Sequence, residues 1–139
     1  MKILVVTQYF YPEEFKINDL VKGLVDRGYE VVVLTCKPNY PKGKFYKGYK
    51  FWGVNEETLY GAKVIRVPVI PRGNGNSLRL VLNYFSFVFF SCLYVLCHRL
   101  RTDRIFCWDT SPILQAYAGM LVNKQTKAPL SMWVQDLWP

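Results

Sequence analysis

A chain of 139 residues has room for one domain with a good core. Lysine and arginine number 18 against 10 acids, a formal charge of +8, and 17% of the residues are aromatic. Cys36, Cys92, Cys97 and Cys107 show neither C-x-x-C nor Cys/His ligand spacing, which excludes a recognisable metal centre and predicts free, buried thiols.

Lys2 to Thr7 is an apolar, largely β-branched run and predicts a first strand, too short for the apolar core of a signal peptide. The chain is therefore expected to stay in the cytosol. From Ile17, apolar residues fall at Leu20, Val21, Leu24 and Val25, the spacing of one buried helix face. Asn18 stands where an N-cap is wanted and Gly28 where the helix must stop. Glu30 to Leu34 returns to Val-rich strand, completing a right-handed βαβ unit of the kind that handles nucleotides or phosphates. The turn after the first strand, QYFYPEEF, has no glycine, and the second strand ends in Thr35, Cys36 and Lys37 rather than an acid. With no Walker A loop either, neither NAD binding nor ATP hydrolysis is supported.

Lys37 to Gly53 reads as a loop with five lysines, six aromatic residues and no acid. Lys63–Ile70 predicts a third strand, Arg72–Ser77 a Gly/Asn turn, and Leu78–Arg101 a long apolar helix. Arg104–Trp108 is a fourth strand, Pro112–Lys124 a helix and Leu130–Val134 a fifth strand. This alternation predicts an α/β fold: a parallel sheet of order 3-2-1-4-5 with helices on both faces.

Leu80 to Cys97 is interrupted only by Asn83, Ser86 and Ser91 and sits at the lower limit for crossing a bilayer. Arg79, Asn83, Ser86, Tyr94 and Arg101 share one stripe, with Phe87 and Phe90 inside it. Because this segment must carry the chain between parallel strands of one sheet, a true span is set aside. A plain buried helix remains possible; the reading preferred is a helix docked in the lipid interface through Phe87 and Phe90, with Arg99, Arg101 and Arg104 at the headgroups. The lysine-rich loop is open to three readings: a solvated connection, a nucleic-acid contact, or a contact with anionic lipid or a lipid-diphosphate acceptor through Lys42, Lys44 and Lys47. No RNA- or DNA-binding motif is present, so nucleic acid ranks below lipid and is not an expected partner.

Pro12, Leu20, Leu24, Gly28, Glu30, Val31, Val33 and Thr35, with DTSP at Asp109–Pro112 and WVQDLWP at Trp133–Pro139, resemble in order the N-terminal domain of family-4 GT-B glycosyltransferases. The later segments look like those of bacterial members that build surface polysaccharides. The chain departs from the common pattern at Glu13-Glu14, where many members carry Gly-Gly, and at Tyr29 and Gln135, where many carry His. The resemblance implies a Rossmann-like domain, one half of a GT-B architecture, occupying residues 1–139 with the donor-binding C-terminal domain absent. It implies a retaining enzyme that transfers sugar from a nucleotide-sugar co-substrate to a lipid-linked saccharide on the inner face of the cytoplasmic membrane, without a separate cofactor. It also implies that the chain alone is inactive. The rival reading is a non-catalytic, membrane-docked binding module.

Candidate site residues fall on three turns at the carboxyl edge of the sheet, where open α/β folds bind ligands. Glu13, Glu14 and Asn18 lie on the first; the carboxylates suit either the helix dipole or sugar hydroxyls. On the second, Ser111 is placed as an N-cap and Pro112 as the first helical residue, with Asp109 just before them; free N–H groups there suit a phosphate or an acceptor hydroxyl. On the third, Gln135 and Asp136 close the last strand. The resemblance gives Asp136 a supporting role, orienting the acceptor hydroxyl, because in a retaining reaction the departing phosphate can itself take the proton.

Overall fold

The computed structural model describes residues 1–110 and 112–135. Its strands are β1 (Lys2–Thr7), β2 (Glu30–Cys36), β3 (Asn55–Leu59), β4 (Ala62–Val67), β5 (Arg104–Asp109) and β6 (Leu130–Val134). The helices are α1 (Lys16–Asp26), α2 (Ser77–Cys97) and α3 (Ala116–Thr126), the last preceded by a 3-10 turn at Ile113–Gln115. One six-stranded sheet results, in the order β3-β4-β2-β1-β5-β6.

The five expected strands take the expected order, all parallel. The difference is β3, an antiparallel edge strand hairpinned onto β4, with Asn55 opposite Arg66 and Leu59 opposite Ala62. Its sequence NEETL has no apolar run, so nothing local announces it. Pairing with β4 defines it, together with the ion pairs Lys63–Glu56 at 2.9 Å and Arg66–Glu57. The β6 edge is of another kind: Met132 and Trp133 are exposed on it and it carries no charge.

Alternation along the central strands divides the core into two layers. Ile3, Val5, Val31, Val33 and Val64 pack with Ile17 and Val21 of α1. Leu4, Val6, Val32, Leu34 and Ile65 pack on the other side with Phe87 and Val95 of α2 and Ala118 and Val122 of α3. Strands covered on both faces read as continuous apolar runs, which is why β1 and β2 were legible.

Gly28 stops α1 as expected, with φ +85 and its N–H bonded to Val25 O at 2.8 Å. Asn18, however, is not the N-cap. Phe15 holds that position without a side-chain bond, and Asn18 lies in the first turn and reaches backward. Its Oδ1 accepts from Tyr11 N at 3.0 Å and its Nδ2 donates to Glu13 O at 2.7 Å, tying the preceding loop to the helix. Nor is Pro112 the first residue of an α-helix, since the 3-10 turn intervenes before α3.

The largest correction concerns α2. The middle of the polar stripe, Asn83, Ser86 and Tyr94, faces inward, while Arg79 and Arg101 at its ends are exposed. Asn83 donates to Ile70 O at 2.7 Å and accepts from Gln8 Nε2 at 2.7 Å; Ser86 Oγ accepts from Ile70 N at 2.9 Å. These side chains satisfy backbone and amide groups where β1 and β4 end, so the stripe is buried without loss. Phe87 is 0% exposed and belongs to the core, so it is no membrane contact, and Phe90 is half-buried against Phe51 and Phe89. Exposed instead are Val81, Leu82, Phe85 (57%), Phe89 (61%), Leu93 and Leu96. The helix is long and apolar enough to cross a membrane by length and composition, yet its inner face is bonded into the sheet. It ends at Cys97, leaving Arg99 and Arg101 exposed in the loop that follows. The described cysteines are free; Cys36 and Cys107 are buried as expected, Cys92 is half-buried and Cys97 is exposed.

Candidate functional site

The carboxyl edge gathers the ends of β1, β2, β4 and β5 with the first turns of α2. Glu13 and Glu14 separate there. Glu14 is exposed, whereas the Glu13 carboxylate is enclosed and accepts from the backbone N–H of Phe10 (3.2 Å), Asn39 (2.9 Å) and Tyr40 (2.8 Å). Burial raises its pKa to about 7, with the three N–H donors and Arg66 pulling the other way. Glu13 therefore staples the β1 loop to the β2 loop, and its oxygens are committed to the chain rather than turned to a sugar. Asn18 is likewise committed to the loop.

Buried cations complete this framework. Lys37 Nζ donates to the carbonyls of Trp52 (2.8 Å), Phe51 (3.1 Å) and Lys50, closing the 37–54 loop on itself, and burial lowers its pKa. Arg66 is fully buried, paired with Glu57, and donates to Cys36 O at 3.3 Å and to Tyr11 O. Lys42, Lys44 and Lys47 are exposed on the same loop.

Asn39 links the framework onward: its Oδ1 accepts from Arg72 N at 3.1 Å. The Arg72 guanidinium, only half-buried, enters an aromatic enclosure. Its Nη1 donates to Tyr9 Oη at 3.1 Å and its Nη2 reaches Tyr84 Oη at 3.5 Å. The rings of Tyr40, Tyr9 and Tyr84 lie 5.1, 5.9 and 5.9 Å from its central carbon. Tyr9 is in turn stacked on Phe15 at 5.0 Å. Burial holds the Tyr9 hydroxyl well above its usual pKa, so it stays protonated. Sequence reasoning passed over Arg72 because it read residues 72–77 as a turn. Tyr9, Tyr40 and Tyr84 are scattered along the chain, and only the sheet brings them together.

The other half of the edge lies past β5. Asp109 is 1% exposed, and neither carboxylate oxygen has a hydrogen-bond partner among the described residues. Burial raises its pKa to about 6. Trp108 Nε1, Thr110 Oγ1 and Gln115 Nε2 are also buried without a partner among the described residues. Gln115 Oε1 does accept from Gln8 N at 2.9 Å, joining this half to the β1 loop. Gln135 N donates to Asp109 O at 2.9 Å, and the exposed Trp133 stacks on Trp108 at 5.5 Å. The edge thus brings the main chains of Asp109 and Gln135 together. Ser111 and Asp136 lie outside the described residues.

No protein-family model matches the sequence, and no curated protein matches it. Among solved structures the chain is similar to the catalytic domain of starch synthase IV from Arabidopsis thaliana, bound to ADP and acarbose. The superposition has a TM-score of 0.60 at 14% identity, covering 97% of this chain and 33% of the other. The chain therefore spans one third of that protein's length. At this identity the likeness is one of fold: the sheet and its helices have the Rossmann-like form of one half of a GT-B fold.

Proposed function

We propose that this chain is the acceptor-side half of a retaining glycosyltransferase, which moves a sugar from a nucleotide-sugar to a lipid-linked saccharide in the assembly of a surface polysaccharide. The observation carrying this reading is the fold shared, over nearly the whole chain, with the catalytic domain of a sugar-polymer synthase. Two features of the carboxyl edge support it. Asp109, Thr110, Gln115 and Trp108 offer acceptors and donors suited to hydroxyl groups beside the exposed ring of Trp133. Arg72 offers a cation. In this proposal Asp136, outside the described residues, orients the acceptor hydroxyl while the departing diphosphate takes the proton.

Membrane association belongs to the same proposal, on the inner face of the cytoplasmic membrane. The outward face of α2 presents an apolar stripe with Arg79 at one end and Arg99 and Arg101 at the other, as an interfacial helix on anionic lipid does. The alternative, a docked module without catalysis, draws on this stripe alone.

Transfer of labelled sugar from a nucleotide-sugar to a prenyl-diphosphate saccharide is the direct test. We expect none from the 139-residue chain and transfer once a donor domain is supplied; turnover by the chain alone would sink the two-domain account. Cosedimentation with anionic vesicles tests the membrane arm. Phe85→Ser with Phe89→Ser should weaken partitioning by about 2–4 kcal/mol, from apolar area left in water. Unchanged partitioning would remove α2 from the membrane surface.

A further inference from the structure

We propose that Arg72, Tyr9 and Tyr84 form a diphosphate site, and that its occupant is the diphosphate linking prenyl chain to sugar in the acceptor. The choice of a lipid-borne diphosphate rests on the transferase reading above; the anion site itself does not.

The contrast between two guanidinium groups carries the argument. Arg66, fully buried, has the Glu57 carboxylate beside it. Arg72 is withdrawn into a ring of phenols yet has no carboxylate within ion-pair distance among the described residues. The sequence around it is equally one-sided, with no acid between Glu57 and Asp103. A partly desolvated cation without a counter-ion favours an incoming anion.

Donor geometry identifies the anion. The Tyr9 and Tyr84 hydroxyls accept from Arg72, and neither donates to any acceptor among the described residues. Each keeps a proton to give. Guanidinium and two hydroxyls are all donors, which suits phosphate oxygens, acceptors without protons of their own. The polar groups past β5, by contrast, include the Asp109 carboxylate and would repel such a ligand.

The site is also built rather than merely present. Arg72 N is fixed by Asn39, which the Glu13 carboxylate fixes in turn. Gly73 N donates to Gly43 O at 2.9 Å, and a side chain at Gly43 would begin 1.8 Å from Gly73 O. This close approach brings the backbone of the 42–44 segment against that of Gly73, the neighbour of Arg72. The stem of Arg79 also passes Gly73, with its Cδ at 3.6 Å from where a Cβ would stand. Exposed Lys42 and Lys44 flank Gly43 and Arg79 passes Gly73, so these are the cations within the same loop contact that a second phosphate would draw on.

Calorimetric titration of the 139-residue chain with inorganic pyrophosphate, farnesyl diphosphate and UDP tests the proposal. Pyrophosphate and farnesyl diphosphate should bind, more weakly as salt is raised, with farnesyl diphosphate the tightest of the three. Arg72→Gln should lose about 10- to 100-fold in affinity for both, and Tyr84→Phe, which keeps the ring, about 3- to 10-fold. Lys124→Gln, on α3, should change neither. Absence of diphosphate binding by the folded chain, or equal binding by Arg72→Gln, would overturn the site. Tighter binding of UDP than of farnesyl diphosphate would overturn the lipid assignment. Arg72-dependent diphosphate binding without transfer in a two-domain enzyme would leave the site standing and remove the transferase reading. Transfer with an unchanged acceptor KM in Arg72→Gln would do the reverse.

Discussion

Glu13 and Asp109 are buried carboxylates at one edge of one sheet, and they are treated in opposite ways. Glu13 accepts three backbone N–H groups, while Asp109 has no partner among the described residues. Burial raises the pKa of both. Burial therefore does not separate framework from site; the tally of satisfied bonds does. Around Glu13, on the β1–β2–β4 side, the polar groups close on one another and hold the β1 and β2 loops still, leaving the Arg72 guanidinium and its phenols open there. On the β5 side desolvated donors and acceptors are left over, which a fold tolerates where something else is to be bound.

Removing Glu13 should break the comparison most visibly. Glu13→Ala leaves three enclosed N–H groups unsatisfied and should cost about 3–5 kcal/mol in urea unfolding at neutral pH. A loss below about 1 kcal/mol would mean the staple is not needed.

The pH profile probes Asp109. Its pKa rises from an ordinary 3.8 to about 6 on folding. The folded protein thus holds the proton more tightly than the unfolded chain, so this contribution is fully present below pH 4 and is lost as pH climbs through about 6. The loss amounts to about 2–3 kcal/mol. Asp109→Asn should remove that part of the slope and be more stable than the parent near pH 7. Parallel stability curves for the two proteins between pH 4 and 7 would show that Asp109 is solvated or paired after all.

The smallest effect comes from a pair of threonines. Thr35 Oγ1 donates to Gln8 O at 3.0 Å, so Thr35→Val should cost about 1 kcal/mol. Thr110 Oγ1 has no partner among the described residues, so Thr110→Val should stay within about 0.5 kcal/mol of the parent. Equal costs at the two positions would erase the distinction between the halves.

Much of the fold was legible because strands covered on both faces must be apolar and helices covered on one face must be periodic. Lys2–Thr7, Glu30–Cys36 and the α1 stripe obey those rules directly. β3 obeys neither, since its glutamates face partners on β4. For α2 the stripe was found but its direction was reversed. A row of Asn and Ser looks wet until the groups it satisfies, Gln8 and Ile70, are seen to lie beneath it. The site was less legible for a similar reason. Asp109 and Gln135 could be placed because strand ends mark the edge, but whether a carboxylate such as Glu13 is free or consumed depends on loops distant in sequence. Arg72 and its three tyrosines share no spacing that a reader of the chain could use.

The two edges of the sheet bear on how the protein behaves in a test tube. Charged side chains on β3 make that edge a poor template for a foreign strand. β6, with Leu130, Met132, Trp133 and Val134 and no charge, is the other edge of the sheet among the described residues and the stickier border. Met132→Lys is thus the economical way to lower association through that margin.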